Sequence, residues 1–537
     1  MDELTQFLGI DLGTTYSVAA TVDAAGRPMV LRTPAGAETV PSVVCFESAD
    51  SVVVGDQARD LATIRPADTV TLVKRLMGTD RLFEFHGAEH TPESISALIL
   101  KAIVDGVLPD RDGTPVPAVV TVPAYFGIRE REATQQAGLL AGLRILELAS
   151  EPVAAALHYG ASRGRASGPI LVYDLGGGTF DVTVLRADAT GTQVVAVEGD
   201  MDLGGADWDQ RLRAHLLERF VHQAGPADDP ADDAAFMTEL TQIAERVKRA
   251  LTHTRSNEVA LRHGGVTARV TVTRAEFAAM TRDLTDRTGD CVRRILATAG
   301  LAPADITDCL LVGGSTRMPA IAESLRDEFG WSPRSHDPDL AVAKGAALRA
   351  GQLVEAEEKW VTPGWGTDPG RPHHPGSSTP APAPAVPFLS SVVPRSFGLL
   401  IHDSTDPAGQ RRFVEHVIHQ NEPLPADGHE ITVATILDHQ AAVRIEVYEQ
   451  AGFVESPEIG DNRRVLDGEL AGLPGGLKAG SALTVTLHLG LDGRLRVTAR
   501  EPRSRTELTL EAYVDGVLDA NDRLQQAERL AHLSVRQ

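Results

Sequence analysis

Short apolar runs alternate with amphipathic segments from the N-terminus to about residue 355. The run at residues 7–10 is typical of a buried strand and leads into Asp-Leu-Gly-Thr-Thr at 11–15. A second run, at 170–173, leads into Asp-Leu-Gly-Gly-Gly-Thr, and a third, at 310–312, leads into Gly-Gly-Ser-Thr-Arg. Strands that alternate with helices predict an α/β architecture, and the repeated strand–turn pattern predicts a duplicated, two-lobed fold.

The pattern changes twice after Trp360. Residues 361–387 are dense in Pro, Gly, His and Ser, a composition that cannot bury enough apolar area to fold and therefore predicts a linker. From about residue 392 to 514, apolar and polar residues alternate with period two between polar turns, which predicts an antiparallel β-sandwich. The tail at 518–533 has the spacing of one amphipathic helix.

The composition limits the classes of function. The chain has 537 residues and a formal net charge of −23, and this charge argues against binding to nucleic acid or to anionic membranes. The three cysteines, Cys45, Cys291 and Cys309, have neither metal-site spacing nor a disulfide pattern, which favours a reducing compartment. Because no basic segment precedes a long apolar run, we expect no signal peptide, no membrane span and a cytoplasmic location.

The two Asp-Leu-Gly turns carry the chemistry of a phosphate-binding site. Glycine lets the backbone approach a phosphate, and successive amide N–H groups then cradle its oxygens. We expect phosphates to be held from two sides by the amides of Gly13, Thr14, Thr15, Gly177, Gly178 and Thr179. The carboxylates that would supply hard oxygen ligands for Mg²⁺, held mainly through water, are Asp11, Asp174 and Asp181. A P-loop site is excluded, because the chain has no G-x-x-x-x-G-K-[ST] segment.

These motifs together resemble those of the seventy-kilodalton heat-shock chaperone family, the DnaK type. Residues 9–17 and 174–181 resemble its two phosphate loops, and residues 313–319 resemble its adenosine loop. The segments similar to its hinge and to the helix that holds adenine and ribose are 121–126, 150–156 and 245–252. The similarity extends over nearly the whole chain.

The resemblance implies a fold and a division into domains. An actin-like α/β ATPase of two lobes and four subdomains would precede an antiparallel β-sandwich that binds peptide. The expected boundaries are 1–355 for the ATPase, 356–390 for a Pro/Gly-rich linker, 391–515 for the sandwich and 516–537 for a short C-terminal helix. The implied ligands are ATP or ADP and Mg²⁺, with K⁺ as a further ion.

The resemblance also implies roles for individual residues. The residues of catalysis would be Lys74, Glu151, Asp174, Thr179 and Asp181, and those of the Mg²⁺ site Asp11, Asp174 and Asp181. The nucleotide-binding residues would be Gly13, Thr14, Thr15, Tyr16, Gly176, Gly177, Gly178, Gly204, Gly205, Glu245, Lys248, Arg249, Thr252, Gly313, Gly314, Ser315, Arg317 and Asp339. The hinge switch would be Pro123 and Arg131, and the peptide groove would be Ile401, Val433, Ala434, Ile436 and Val443.

The residues by themselves have ordinary explanations as well. An Asp in a turn is commonly a cap, and a lysine such as Lys74 is commonly a solvated residue of a short helix. Glu151 begins a helical segment, where the helix dipole favours a carboxylate. The polar residues within 245–252 share one helix face, which is commonly an exposed charged face. The groove aliphatics would equally suit the core of a sandwich.

The chain departs from the family in several places, one of which is a short segment at 78–91. The family linker is short and rich in Asp and Leu, whereas residues 385–394 keep only part of that apolar character, so coupling through a docked linker is in question. The long helical lid is absent or reduced to the tail helix, which predicts faster dissociation of bound peptide. Met201, Asp202 and Ala206 replace the usual residues beside the phosphate site, which predicts an altered hydrolysis rate.

We therefore expect a slow ATPase that acts as a chaperone in protein folding and the stress response, in which ATP controls the binding of unfolded or extended hydrophobic polypeptide. The implied partners are a J-domain co-chaperone and a nucleotide-exchange factor. The altered linker and reduced lid leave an alternative, a nucleotide-gated binding or signalling module with one specific partner. A sugar or glycerol kinase of the actin-like superfamily is less favoured, because such enzymes need no Pro-linked sandwich.

Overall fold

Two large β-sheets of matching strand order make up most of the N-terminal two thirds of the computed structural model. The residues that the structure describes are 7–109, 111, 113–163, 168–187, 191–361, 388–403, 406, 410–452, 454–490, 493–503, 506–511, 526–527, 529–530 and 532–537. Most of the predicted linker, at 362–387, and the first part of the predicted tail helix, at 518–525, lie outside these residues.

The first large sheet and its helices form lobe I, residues 7–150. Its strands are β1 Leu8–Asp11, β2 Tyr16–Val22, β3 Pro28–Val30, β4 Val40–Pro41, β5 Val44–Ser48, β6 Ser51–Val54, β7 Thr69–Val70, β8 Phe83–Phe85, β9 Ala88–His90, β10 Val116–Val122 and β11 Leu143–Ser150. Its helices are α1 Asp56–Leu61, α2 Pro92–Val107 and α3 Ile128–Leu140. The sheet order is β11-β10-β1-β2-β3, with β4 paired to β2. Strands β1, β10 and β11 are parallel, and β1, β2 and β3 form an antiparallel meander.

The second large sheet forms lobe II, residues 168–340, with one added strand. The strands are β12 Pro169–Leu175, β13 Phe180–Ala187, β14 Gly191–Asp200, β15 Ser256–His263, β16 Val266–Thr273, β17 Asp308–Val312, β18 Arg334–Ser335 and β19 Phe388–Ser390. The helices that begin after lobe I are α4 Glu151–Arg163, α5 Gly205–Ala224, α6 Ala234–His253, α7 Arg274–Met280, α8 Arg282–Ala299, α9 Pro319–Phe329 and α10 Ala341–Val361. The sheet order is β18-β17-β12-β13-β14-β19.

The two sheets repeat one topology. In each, an antiparallel three-strand meander (β1-β2-β3 or β12-β13-β14) is extended on the side of its first strand by two parallel strands. The predicted pairing of Asp-Leu-Gly motifs thus corresponds to a repeated arrangement of strands, and each motif lies at the first turn of its meander. Because both meanders have the same strand order and pairing, the two turns occupy equivalent places in the lobes.

Helices α4 and α10 pack against each other between the lobes. Small side chains allow this, since Ala343, Ala346 and Ala350 of α10 are completely buried. A Cβ on Gly345 would lie 1.7 Å from the carbonyl oxygen of Ala154, so only glycine permits the crossing of the two helices. Helix α10 also packs on β1, β2 and β10 of lobe I, and it continues past the expected domain boundary at residue 355.

The region after residue 391 folds as two antiparallel sheets packed face to face. Its strands are β20 Phe397–His402, β21 Arg412–Ile418, β22 Ala426–Ala434, β23 Ala442–Gln450, β24 Asn462–Ala471, β25 Ala482–Leu489, β26 Leu495–Arg500 and β27 Glu507–Glu511. One sheet has the order β21-β20-β23-β24 and the other β22-β25-β26-β27. Alternate side chains of both sheets, including Leu399, Val447, Val485 and Val497, form a common buried core, so the alternation in the sequence corresponds to one inward face per strand.

Two segments pair in ways that the sequence prediction does not contain. Residues 388–390, expected in the linker, form β19, which pairs in parallel with β14 at the edge of the lobe II sheet. The tail, expected to be helical to its end, has helical residues between 526 and 532 and then forms strand β28, Ser534–Arg536. Strand β28 pairs in parallel with β6 of lobe I, giving the small sheet order β28-β6-β5-β7.

The sandwich contacts both lobes directly. Glu449 accepts the backbone N–H of Ile128 in lobe I, with 3.0 Å between Oε1 and N. Arg463 donates to Glu130 of the same lobe at 2.8 Å. On lobe II, the side-chain oxygen of Asn421 accepts the backbone N–H of Val197 at 2.8 Å. Within the described parts of the chain, no helix combines the length and the apolar character that a membrane span requires.

Candidate functional site

A polar cleft of about 590 Å³ lies between the two lobes and is lined by residues of both. The sequence-predicted residues that line it are Asp11, Gly13, Thr14, Thr15, Tyr16, Lys74, Glu151, Asp174, Gly176, Gly177, Thr179, Gly205, Glu245, Lys248, Arg249, Thr252, Gly313, Gly314, Ser315, Arg317 and Asp339. Residues far apart in sequence are thereby brought to one cavity, which is the arrangement that a ligand held by two lobes requires.

Of the residues predicted for catalysis, Mg²⁺ and nucleotide binding, three do not line the cleft, because each is covered by a neighbour or directed elsewhere. A Cβ on Gly204 would meet the backbone of Gly178 at 2.5 Å, so Gly204 lies behind that turn. Gly178 itself faces Thr14 of the opposite turn. Asp181 accepts the backbone N–H of Tyr125 at 3.1 Å and therefore faces the hinge segment.

The two Asp-Leu-Gly turns touch across the cleft floor. A Cβ on Gly177 would lie 2.1 Å from Thr15 Oγ1, and a Cβ on Gly178 would lie 2.2 Å from Thr14 Cγ2. Glycine is therefore required at both positions for the turns to approach this closely. The consequence is that backbone from both lobes meets at one place in the wall of the cleft.

A buried ion pair joins lobe I to the first turn of α4. Lys74 Nζ lies 2.5 Å from Glu151 Oε1, and both side chains are less than one tenth exposed. Lys74 belongs to a single-turn helix at 73–76, which the left-handed backbone of Leu72 precedes. Burial opposes the charged form of Lys74, but the carboxylates of Glu151, Asp11 and Asp181 outweigh it and raise the pKa. Lys74 therefore carries its charge within the cleft.

Three aspartates share the neighbourhood of this lysine: Asp174 and Asp181 are buried, and Asp11 is half-buried. Burial first, and the carboxylate of Glu151 second, raise the pKa of Asp11 to about 7 and that of Asp181 to about 7. The pKa of Asp174 is raised well above its ordinary value by burial and by the carboxylates of Glu151, Asp181 and Asp11, in that order. Several carboxyl groups around one lysine thus leave a deficit of positive charge.

This deficit is the feature that fits a divalent cation. Carboxylate oxygens are the ligands that Mg²⁺ prefers, and a bound cation would favour the ionised form of each acid. Among the described residues, no three His, Cys, Asp or Glu side chains are arranged to hold a metal directly. The residues predicted to hold Mg²⁺ through water are Asp11, Asp174 and Asp181, of which Asp11 and Asp174 line the cleft.

Helix α6 presents a polar stripe to the opposite end of the cleft. Its apolar face, which includes Leu240, Ile243, Ala244, Val247 and Leu251, is buried in the core of lobe II and fixes the rotation of the helix. As a result the cleft is lined by the polar residues Glu245, Lys248, Arg249 and Thr252. Helix packing thus converts the i, i+3, i+4, i+7 spacing into one wall of the site.

Ion pairs hold the residues of this wall and of the wall that faces it. Arg249 donates to Glu245 at 2.6 Å and lies over the ring of Tyr16, 5.0 Å from its centroid. Across the cleft, Arg317 donates to Asp339 at 2.5 Å. Both arginines line the cleft, and a guanidinium plane is a surface on which a flat group can stack.

Two residues of the site, Arg75 and Asp209, were not predicted from the sequence. Arg75 donates to the carbonyl oxygen of Gly178 at 2.7 Å and to Asp207 at 2.5 Å, and so attaches the second phosphate turn to lobe I and to α5. Asp209 lines the cleft and accepts Lys248 at 2.7 Å, while burial raises its pKa to about 6. In the sequence, only the position of Arg75 next to Lys74 could have pointed to it. The contacts of Arg75 and of Asp209 join segments that lie far apart in the chain.

The predicted hinge residues lie between the cleft and the sandwich. Pro123 is buried, and its carbonyl oxygen accepts the backbone N–H of Phe126 at 3.1 Å. Arg131 is half-buried, donates to the carbonyl oxygen of Phe126 at 3.1 Å and lies beside Gly493 of the sandwich. The prediction that these two residues act as a switch remains a prediction.

The predicted groove residues divide into two groups. Ile401, Val433 and Val443 are half-buried and pack against the sandwich core. Ala434 and Ile436 are exposed, and Ile436 keeps 56% of its surface accessible. Leu437, which the sequence analysis did not select, is 62% exposed beside it. An exposed apolar pair at the edge of a sandwich is the stronger indication of a binding surface.

The strand order of the lobes, the cleft between them and the following sandwich define the class: a two-lobed α/β unit joined to a β-sandwich. A sequence model of the family described as Hsp70 protein matches residues 7–85 and 81–360. The chain is 33% identical over 519 residues to proteins named Chaperone protein DnaK from Thermotoga petrophila, Thermotoga maritima and Thermotoga neapolitana, covering 95% of this chain and 81% of each relative. The chain therefore belongs to the Hsp70 family.

Membership of this family supports the coarse outline of the sequence analysis. Proteins of the Hsp70 family are ATPases that bind ATP or ADP with Mg²⁺, and their fold combines actin-like lobes with a β-sandwich. The mixed α/β lobes and the antiparallel sandwich described above agree with that outline.

Proposed function

We propose that the chain is an ATP-dependent chaperone, in which slow ATP hydrolysis in the cleft controls the affinity of the sandwich for extended hydrophobic polypeptide. The observation that carries the proposal is the close approach of the two Asp-Leu-Gly turns across the cleft, Gly177 to Thr15 and Gly178 to Thr14, which supports a ligand held by both lobes. A triphosphate held there would bridge the lobes, so its hydrolysis would change how they are held together.

Each group of cleft residues has a part in this proposal. The amides of Gly13, Thr14, Thr15, Gly177 and Thr179 would hold the phosphates. Lys74 would offset the charge on the terminal phosphate, and Glu151 would orient it and accept a hydrogen bond from the attacking water. Mg²⁺, when bound, would neutralise charge on the phosphate oxygens. The stripe Glu245–Thr252 and the facing Arg317–Asp339 pair would hold the adenosine.

The contacts between lobes and sandwich support a coupled cycle. Strand β19, which immediately precedes the sandwich, extends the lobe II sheet by pairing with β14, and β13 and β14 lie in the same sheet as the phosphate turn. The altered composition of the linker puts this coupling in question. The three backbone pairings of β19 need no particular side chains, so a rewritten sequence can still occupy the sheet edge.

The proposed partners are unfolded polypeptide, a J-domain co-chaperone and a nucleotide-exchange factor. The family assignment does not favour the alternative of a signalling module with one specific partner, and it does not favour a polyol kinase.

Steady-state ATPase activity and fluorescent-peptide affinity, each measured with ATP and with ADP, test the proposal. We expect turnover that Asp174→Asn abolishes, broad binding of hydrophobic peptides and weaker peptide binding with ATP than with ADP. Turnover that survives in Asp174→Asn would place the active site elsewhere, and the lack of any peptide binding would refute the chaperone function.

A further inference from the structure

The C-terminal segment of the chain completes a sheet of lobe I. Strand β28 pairs in parallel with β6, and the backbone N–H of Ser534 donates to the carbonyl oxygen of Asp50 at 2.9 Å. Without β28, strand β6 would be the edge of the order β6-β5-β7. Its residues Val52, Val53 and Val54 are almost completely buried, so an exposed β6 edge would present apolar, unpaired backbone.

Side chains of the tail take part in the core of lobe I. Leu530 is 3% exposed and belongs to the same buried cluster as Phe46, Val52 and residues of α2, and Leu533 and Val535 pack against that cluster. At the rim, Arg536 forms an ion pair with Glu47, and Arg529 donates to the carbonyl oxygen of Glu89 at 3.2 Å. The tail is thus bound by strand pairing, apolar burial and charge together.

The tail also carries a cost when it is docked. The side-chain oxygen of Gln526 and both side-chain polar atoms of Gln537 are buried without a hydrogen-bond partner among the described residues. Buried polar atoms that make no hydrogen bond destabilise the state that buries them. Such a segment can detach more easily than a strand in the middle of a sheet.

The position of the tail in the chain gives it a mechanical role. Residues 512–525 connect it to β27, the last strand of the sandwich. At its other end the sandwich follows directly on β19, which is paired with lobe II. The sandwich is therefore attached at one end to lobe II and at the other end to lobe I.

We propose that the C-terminal segment, in its described residues 526–527, 529–530 and 532–537, is a detachable latch, which adds a strand to the β6 edge and thereby holds the sandwich against lobe I. The occupant of the β6 edge is the chain's own C-terminal strand, recognised by parallel backbone pairing and by the apolar side chains Leu530, Leu533 and Val535. Detachment of the latch frees the sandwich to leave the lobes. The residues of the latch do not line the nucleotide cleft, so the inference does not rest on the proposed function.

Hydrogen exchange in the full-length protein without nucleotide tests this inference. The amides of Ile128 and Val197 donate to the sandwich side chains Glu449 and Asn421 and therefore report on docking of the sandwich. The amides of β6 report on the latch. In the double variant Leu530→Asp/Val535→Asp we expect exchange about tenfold faster or more in β6 and at both reporter amides. The control is His532→Ala, an exposed tail residue, which should exchange as the original chain does.

A synthetic peptide with the sequence of residues 526–537, added to the double variant, tests whether the covalent connection to the sandwich matters or whether covering the β6 edge is sufficient. The peptide should restore the protection of the β6 amides, because it can occupy the sheet edge. Hydrogen exchange at the amides of Ile128 and Val197 should remain fast, because the peptide has no connection to the sandwich. Restored protection at all of these sites would overturn the latch in favour of simple stabilisation of lobe I. Unchanged exchange at Ile128 and Val197 in the double variant would overturn it as well.

Discussion

The carboxylate of Asp181 accepts the backbone N–H of Tyr125, with 3.1 Å between Oδ1 and N. The hydroxyl of Tyr125 donates to the carbonyl oxygen of Gly452 in the sandwich at 3.1 Å, and its ring lies 4.6 Å from the guanidinium carbon of Arg395. One residue therefore contacts both a carboxylate of the nucleotide site and the sandwich. A shift of Asp181 on nucleotide binding would move the backbone on which the sandwich rests.

The Tyr125→Phe variant should lose coupling while it keeps nucleotide binding. The substitution removes the hydrogen bond to Gly452 but leaves the backbone N–H that Asp181 accepts. We expect nucleotide affinity within about twofold of the original and a ratio of peptide affinities with ADP and ATP that falls by about three- to tenfold, since one hydrogen bond contributes about 0.5–1.5 kcal/mol. Tyr448→Phe, in sandwich strand β23, is the control, and an unchanged ratio in Tyr125→Phe would contradict the coupling route.

Arg463→Met should undock the sandwich. Arg463 donates to Glu130 of lobe I at 2.8 Å and to Glu449 at 3.1 Å, and Glu449 is completely buried. Removal of one partner from a buried pair costs about 3–5 kcal/mol while the remaining charge stays buried. Undocking returns both carboxylates to water, so the variant should show a larger radius of gyration in solution scattering rather than a lower melting temperature of the lobes.

The adjacent Arg464 provides the matched control for that experiment. It pairs with Glu446 and Asp467 within the sandwich and is 40% exposed. Arg464→Met should therefore leave the radius of gyration unchanged. Equal scattering curves for both variants would show that the Arg463 pair does not hold the interface.

Lys74→Ala should abolish most of the ATPase turnover. The variant removes the buried positive charge beside Glu151, and loss of one preorganised charge at a reacting group lowers kcat by about 10²–10³-fold. ADP affinity should change far less, because the adenosine wall is untouched. Lys101→Ala on α2, whose lysine pairs with Asp105 at 2.7 Å, is the control; turnover of Lys74→Ala near the original rate would remove Lys74 from the site.

Binding of Mg²⁺ with nucleotide should release protons. The pKa of Asp11 and of Asp181 is raised from 3.8 to about 7 by burial and by the carboxylate of Glu151, so both groups hold protons below about pH 7. A bound cation favours the ionised acids, so affinity should weaken as the pH falls from about 8 to about 6, by about tenfold per pH unit for each proton released. Calorimetry in two buffers of different ionisation enthalpy counts the protons.

The same groups fix the sign of the pH dependence of stability. Between about pH 4 and pH 7 the unfolded chain has lost these protons while the folded protein keeps them, so their contribution to the free energy of unfolding falls as the pH rises through that interval and is constant above it. In the calorimetric experiment, Asp11→Asn should lower the number of protons released on binding of Mg²⁺ with nucleotide by about one. Asp60→Asn, an exposed residue of lobe I, should not alter it, and equal heats in both buffers would contradict the assignment.

Ile436→Asp should weaken the binding of hydrophobic peptides without destabilising the sandwich. Ile436 is 56% exposed, so a charge at this position costs the fold little, but it would oppose an apolar peptide side chain. We expect at least about a tenfold loss of peptide affinity. Ile64→Asp, at a lobe I position that is 77% exposed, is the control; equal peptide affinity in both variants would place the groove elsewhere.

Local patterns predicted the parts of the molecule that local chemistry determines. The Asp-Leu-Gly repeat indicated two equivalent turns, and the helical spacing of Glu245, Lys248, Arg249 and Thr252 placed them on one face of α6. In both cases residues close in sequence share one element, so periodicity and turn composition carry the information. Period-two alternation likewise indicated the strands of the sandwich.

Pairings between segments far apart in the chain could not be predicted from the sequence. Arg75 contacts the turn at Gly178 over a separation of 103 residues, and apart from its neighbour Lys74 nothing in the local sequence distinguishes it from a surface arginine. Strands β19 and β28 each pair for three residues at the edge of a distant sheet. A three-residue segment carries too little periodicity to be recognised, and its Pro-rich or helical surroundings predict other structures.

The pairing of β28 with β6 also has a consequence for synthesis. Lobe I buries Leu530 beside Phe46 and Val52. This part of its core cannot be completed until residue 530, almost five hundred positions further along the chain, has been synthesised. While the ribosome is still translating the sandwich, the β6 edge has no covering strand and is open to other extended chains. The N-terminal lobe can therefore reach its final form only after the tail has left the ribosome.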